Sequence, residues 1–273
     1  MHNKTNIYAS VIDVVVDSKL PYFKNSLESL VAQTVTDFEL ILVIGYPGTE
    51  TLTYLEGQEF PFDFIKVLEP QRKAYPARAS ANNMGMDAAT GNVYIGTQDD
   101  VIYPPDWVEN HIKWQSRDDG PWFVFNRLHG AVVVGGSDEE DKFWERISNP
   151  RYSPIVDRWK YASGHGFSLP MSIAKTLRHD ERYNGFYGWE DVQWSRDCYK
   201  AGCKFVIDMD TIIVHQSHDA MPHEKWDKDP AIFWKWLADR SRNRRLFYEL
   251  NGFDPEYGII RDEFGPPGEL RYE

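Results

Sequence analysis

Strand-length apolar runs and helix-period segments alternate through the first hundred residues of the chain. Residues 7–16 (IYASVIDVVV) form a run rich in β-branched side chains, the pattern of a strand buried on both faces. After Pro21, the positions Phe23, Leu27, Leu30, Val31 and Thr34 recur every three or four residues and predict one face of an amphipathic helix. FELILVIG (38–45) predicts a second buried strand, ended by Gly45, Pro47 and Gly48, and FDFIKVLE (62–69) a third. A helix follows from Pro76, with Ala77, Ala81, Met84 and Ala88 on one face and Gly91 closing it. NVYIGT (92–97) predicts a fourth strand. This order and spacing predict βαβ units and a mostly parallel sheet of the Rossmann-like α/β class.

The second half is less regular. It predicts a helix over 105–117, short strands near 121–126 and 131–136, and a charged surface excursion over 137–160. A glycine-rich stretch, SGHGFSLP (163–170), precedes a helix near 171–179. RYNGFYGWEDV (182–192) predicts a loop running into a helix that Gly202 terminates. KFVID (204–208) and TIIVH (211–215) predict strands, and 230–250 a last helix with Phe233, Leu237 and Arg240 at helical spacing. The tail, 251–273, is rich in Gly, Pro and acids. With no repeat and no linker, the expected organisation is a core over 1–220 and a C-terminal helix and tail over 221–273 packed on it.

Composition narrows the class. A chain of 273 residues can bury a full core without staples, and its 2 cysteines are too few for a disulfide framework. No apolar run reaches the ~18 residues of a membrane span, and the N-terminal segment has no apolar signal region. The expectation is a cytoplasmic protein with no integral membrane segment. The formal net charge of −12 disfavours nucleic acid and anionic membrane surfaces as partners.

Four clusters carry candidate chemistry. Asp99 and Asp100 follow the fourth strand, at the strand ends where open parallel sheets bind ligands. Adjacent carboxylates there either hold a hard cation with phosphate oxygens or form a solvated turn that caps the next helix. Glu190 and Asp191 open a helix, where acids offset the macrodipole and cap free N–H groups. One of them can instead face a cleft as a general base, and the flanking Phe186, Tyr187, Trp189 and Trp194 suit a sugar site. His215 ends a strand as a candidate Mn²⁺ or Zn²⁺ ligand, whereas His218 and His223 read as surface residues of a polar loop. Arg72, Lys73 and Arg78 either supply the local positive charge that a diphosphate needs or make a solvated loop face.

Together these blocks resemble inverting family 2 glycosyltransferases of the GT-A fold. The resemblance runs through SVIDVVVDSKLPYFKNSLESLVAQTVTDFELILV (10–43), ASANNMGMDAATGNVYIGTQDDVIYPPDW (79–107), GWEDVQWSRDCYKAGCKF (188–205) and IIVHQSH (212–218). It implies a nucleotide-sugar donor, a carbohydrate or glycan acceptor and a divalent cation, Mn²⁺ or Mg²⁺. It further implies that Asp100 ligates the metal with Asp99 beside it and His215 as a further contact. Asp191 would be the general base with Glu190 as its neighbour. On this reading Arg78, Lys73, Asp99 and Asp17 contact the nucleotide, and Trp189 and Tyr187 the acceptor. The chain departs from the family at Val15-Val16-Asp17-Ser18, Ile44-Gly45-Tyr46, Gln98 and Asn82, where nucleotide-binding residues are usual. Asp13, Asp17 or Glu69 could substitute for the missing acids. A nucleotidyltransferase would need a glycine-rich loop after the first strand, and VVVDSKLPY (14–22) has none. A non-catalytic carbohydrate-binding relative is the other alternative; the departures favour it and the retained acids oppose it.

Overall fold

A computed structural model describes residues 8–70, 78–130, 165–183, 185, 188–216 and 230–252. Eight strands form one sheet in the order β3-β2-β1-β4-β7-β6-β8-β5. They are β1 (Ala9–Val15), β2 (Phe38–Ile44), β3 (Asp63–Leu68), β4 (Val93–Gly96), β5 (Val101–Ile102), β6 (Trp122–Gly130), β7 (Phe167–Pro170) and β8 (Lys204–His215). The first four run parallel, as do β6 and β8, while β7 runs antiparallel to β4 and to β6. The helices are α1 (Leu20–Val31), α2 (Thr49–Leu55), α3 (Arg78–Ala88), α4 (Trp107–Gln115), α5 (Met171–Leu177), α6 (Glu190–Lys200) and α7 (Pro230–Asn251). No helix among the described residues is long and apolar enough to cross a membrane.

The period of two along each strand sorts side chains between two cores. Val11 and Val15 of β1, Leu40 and Leu42 of β2 and Ile95 of β4 face Phe23, Leu27 and Leu30 of α1 and Trp107 and Val108 of α4. Ile12, Ile41 and Tyr94 point the other way, toward Met86 of α3, Ala174 of α5, Trp194 of α6 and Phe247 of α7. A sheet covered on both faces explains why its central strands read as continuous apolar runs. The α1 helix ends at Val31, which is exposed with Thr34, so the expected stripe stops at Leu30.

Two local devices fix the strand ends. At the N-terminal end, Glu39 of β2 is buried and its Oε1 accepts from Ser10 Oγ (2.5 Å), Thr90 N (2.6 Å) and Gly91 N (3.0 Å). The Ala-Thr-Gly turn is therefore tied to the first two strands by a carboxylate, and a Cβ at Gly91 would lie 2.6 Å from the Tyr8 carbonyl oxygen. At the C-terminal end, Asp17 Oδ1 accepts from Thr51 N (3.0 Å) and Thr51 Oγ1 (2.8 Å), locking the 3-10 turn Asp17–Lys19 to the start of α2.

The structure adds α2, β5 and β7 to the elements expected from the sequence, and joins 204–208 and 211–215 into one strand with a register shift opposite Asn126/Arg127. The expected strand at 131–136, the excursion at 137–160 and the tail beyond Gly252 lie outside the described residues.

Candidate active site

A pocket opens where β1 and β4 end, lined by Val14, Gly96 and Asp99 together with Arg78 at the start of α3 and Glu190 and Asp191 at the start of α6. Open parallel sheets bind ligands at this edge because strand ends and helix N-termini converge there.

The 97–103 segment holds the first acidic pair. Tyr103 stacks on Trp107 with ring centroids 4.0 Å apart, its hydroxyl meets Thr97 Oγ1, and Gln98 N donates to it at 3.0 Å. Asp99 and Asp100 are both buried. Val16 N donates to Asp99 Oδ2 at 3.4 Å. Asp100 Oδ2 pairs with Lys19 Nζ at 2.9 Å, and Asp100 Oδ1 lies 3.5 Å from His215 Nε2. β5 pairs Val101 with His215, and Gln216 N donates to the Asp100 carbonyl at 2.8 Å, so a backbone ladder sets this carboxylate against this imidazole. The Gln216 side chain is anchored in turn, accepting from Asn25 Nδ2 (2.7 Å) and donating to the Tyr22 carbonyl (2.9 Å).

Burial, with Asp100 adjacent, pushes the Asp99 carboxyl up to about 7. Asp13 of β1 is fully buried within electrostatic reach of the same pair, and neither of its oxygens accepts a hydrogen bond of good geometry, although the Val14 amide is near. Burial and then Asp99 and Asp100 hold Asp13 well above the usual carboxylate range.

The second acidic pair opens α6. Trp189, the residue before the helix, has φ 71°, a left-handed conformation that is uncommon for a bulky side chain and marks a constrained turn. Val192 N donates to Asp191 Oδ1 at 2.8 Å, and Ser195 Oγ donates to the Asp191 carbonyl at 2.7 Å. Glu190 is buried, and burial followed by the neighbouring Asp191 pushes its carboxyl up to about 7. Arg78, at the rim, is subject to the charges of Glu190, Asp99, Asp100 and Asp191. Burial of its guanidinium lowers its proton affinity, but these four acids outweigh that effect and raise it.

The raised Glu190 carboxyl has a measurable consequence for stability. An acid with a raised folded-state pKa contributes stability that is present below its unfolded value of 4.5 and is lost as pH rises through about 7. Glu190→Gln removes that loss, so its stability relative to the parent is expected to be greater at pH 8 than at pH 5. Urea denaturation at the two pH values checks this, and an equal difference at both would contradict it.

Asp99, Asp100, Arg78, Glu190, Asp191 and His215 are thus brought around one strand-end site, four of them lining the pocket and Asp100 and His215 beside it. Lys73 and Tyr187 lie outside the described residues. Asp17 is held as a turn latch by Thr51 rather than turned to the pocket. Trp189 is 8% exposed and packs in the α6-side core, which leaves little ring face for a sugar in this arrangement. Three residues were not singled out in the sequence. Lys19 carries no motif. His165 stands edge-on to His215 with centroids 4.9 Å apart, and burial lowers its pKa to about 4. His179 stacks on Trp194 at 4.3 Å, and burial lowers its pKa to about 3.

The family model described as Glycosyl transferase family 2 matches residues 10–175. Solved structures align over nearly the whole chain. Residues 1–349 of TarS from S. aureus align with a TM-score of 0.62 at 13% identity, covering 94% of this chain and 73% of that one. The mannosyltransferase PcManGT from Pyrobaculum calidifontis, in complex with GDP-Man and Mn²⁺, aligns with a TM-score of 0.62 at 16% identity, covering 95% and 70%. GalNAc-T7 with UDP, GalNAc and Mn²⁺ aligns with a TM-score of 0.59 at 14% identity, covering 80% of this chain and 45% of that one. No curated protein sequence matches the chain. The chain belongs to glycosyl transferase family 2, as a glycosyltransferase of the GT-A fold. The family match ends before α6, so Glu190, Asp191 and His215 are placed by the fold alone.

Proposed function

We propose that the protein is a cation-dependent, inverting glycosyltransferase that moves a sugar from a nucleoside-diphosphate donor to a hydroxyl of a carbohydrate acceptor. The observation that carries this reading is the pairing of two carboxylate clusters around one strand-end pocket, Asp99 and Asp100 on the sheet side and Glu190 and Asp191 on α6. Either stereochemical course needs positive charge at the leaving diphosphate; a single inversion also needs a base for the acceptor proton, a role that a carboxylate of α6 can fill. TarS has been solved with UDP and with UDP-GlcNAc, and PcManGT with GDP-Man and Mn²⁺, which supports a nucleotide sugar as donor.

The residues fit a divalent cation. Asp100 Oδ1 lies 3.5 Å from His215 Nε2, which brings together a carboxylate and an imidazole of the kinds that Mn²⁺ accepts. Among the described residues no group of three His, Cys, Asp or Glu side chains could hold a metal unaided. That agrees with a site completed by substrate, since Mg²⁺ bound to nucleotides takes one or two carboxylates and fills its shell with phosphate oxygens and water. Asp100, with Asp99 and His215, would hold the cation, which when bound offsets the charge of the departing diphosphate. Arg78 adds fixed positive charge on the pocket rim.

Asp191 takes the proton from the acceptor hydroxyl as its oxygen attacks the anomeric carbon and the bond to the diphosphate oxygen breaks. A second assignment, Glu190 as the base, is favoured by its carboxyl at about 7, which suits proton abstraction near neutral pH.

Asp100→Asn is expected to remove the chelator-sensitive part of nucleoside-diphosphate binding while the fold persists. Calorimetric titration with UDP and GDP, each with Mn²⁺ and with EDTA, checks this. Parent-like, EDTA-sensitive binding in the variant would sink the cation role of Asp100.

A further inference from the structure

Lys19 places a positive charge on the candidate cation ligand before any donor arrives. The turn that carries it is fixed from both sides. Thr51 holds Asp17, and Val16 N points at Asp99. From this turn Lys19 Nζ reaches Asp100 Oδ2 at 2.9 Å, with the lysine side chain 19% exposed and the aspartate 4%. We propose that Lys19 is a resident counter-ion of the cation site. It holds Asp100 in the empty enzyme, opposes binding of a divalent cation alone, and moves its ammonium onto the diphosphate when cation and nucleotide bind together. This rests on the reading of Asp100 as a cation ligand.

An ammonium on Oδ2 and a divalent cation on Oδ1 of the same carboxylate repel each other. In a partly buried site that repulsion is weakly screened. A cation arriving alone must also displace the ammonium from a buried partner, leaving Lys19 without its ion pair. A diphosphate changes the balance by offering the ammonium a new acceptor within the reach of a flexible four-carbon stem. The other charged or titratable groups around Asp100 include Asp13, Asp99, Arg78, Tyr103, His165 and His215. Cation and nucleotide therefore bind with positive coupling, and linkage makes the coupling equal in both directions.

The test is the affinity of the full chain for Mn²⁺, followed by electron paramagnetic resonance, alone and with saturating UDP or GDP. The parent is expected to bind Mn²⁺ about 5–150-fold more tightly with the matching diphosphate. Lys19→Met and Lys19→Gln, with folding checked by thermal melts, are expected to bind Mn²⁺ alone several-fold more tightly than the parent, to bind the diphosphate in Mn²⁺ more weakly, and to lose most of the coupling. Lys19→Arg should keep the competing charge and restore weak binding of Mn²⁺ alone. Two neutral variants that bind Mn²⁺ and diphosphate as the parent does would overturn the role of Lys19 and leave the cation site standing. No Mn²⁺ binding by any protein, with diphosphate binding indifferent to EDTA, would overturn both. Parent Mn²⁺ binding that neither diphosphate strengthens would overturn the coupling.

Discussion

Asp191→Asn is expected to lower kcat by about 10²–10⁴-fold while leaving donor affinity nearly unchanged. A sugar hydroxyl gives up its proton only as its oxygen bonds to the anomeric carbon, so the base contributes in the transition state rather than in binding. The amide keeps the shape of the side chain and an oxygen able to accept from Val192 N, so the first turn of α6 stays in place. Glu190→Gln should cost less if Asp191 takes the proton and Glu190 serves only the start of α6, since the amide keeps the shape of the buried side chain. Steady-state kinetics of both variants against donor and acceptor separate the assignments. If Glu190→Gln is the more damaging change and Asp191→Asn keeps near-normal kcat, the two residues exchange roles.

Trp194→Ala is expected to destabilise the protein by about 3–5 kcal/mol, the usual range for deleting a large buried aromatic. The indole is 2% exposed and stands at the hub of an aromatic cluster. It meets Tyr94, Phe123 and Phe167 edge-on at 5.7, 6.0 and 5.6 Å and stacks on His179 at 4.3 Å. These rings pin α6 to β4, β6 and β7, so the cavity left by alanine cannot close without moving the helix that carries Glu190 and Asp191. For a domain of this size the melting midpoint should fall by roughly 6–20 °C. Trp194→Phe, which keeps most of the volume, should lose far less. A melt for Trp194→Ala within a degree or two of the parent would show that the hub is not where stability resides.

The parallel half of the sheet was legible because its strands are buried on both faces and read as unbroken apolar runs. Four expected strands match β1 to β4 to within about two residues at each end. The short α2 was missed because Gly45, Pro47 and Gly48 read as a loop, and its anchoring depends on Asp17 meeting Thr51 across the sheet edge. β7 was hidden in a segment whose glycines suggest a loop; Gly96 of β4 is needed beside it because the Phe167 ring comes too close to admit a Cβ there, and a Cβ at Gly166 would lie 2.8 Å from Ile213. The acidic pairs at 99–100 and 190–191 were visible as motifs. The choice between capping and chemistry was not, since it depends on burial, which local sequence does not encode. Trp189 carries the opposite ambiguity. An aromatic beside paired acids suggests a sugar platform, whereas the indole packs largely in the core. Lys19 was invisible because a single lysine in a turn gains meaning only from the carboxylate that the fold places beside it.

The ladder that joins β5 to β8 also sets a timetable. Asp99 and Asp100 leave the ribosome early, whereas His215 and Gln216 come late, and the Gln216 amide finds Asn25 across 191 positions of sequence. Until that last strand docks, Asp100 does not have His215 beside it, and the short edge made by Val101 and Ile102 lacks the strand it pairs with. Any chemistry that needs both groups therefore waits for the sheet to close. A site assembled from such distant parts of the chain exists only in the folded sheet, because the β5–β8 pairing is what brings Asp100 and His215 together.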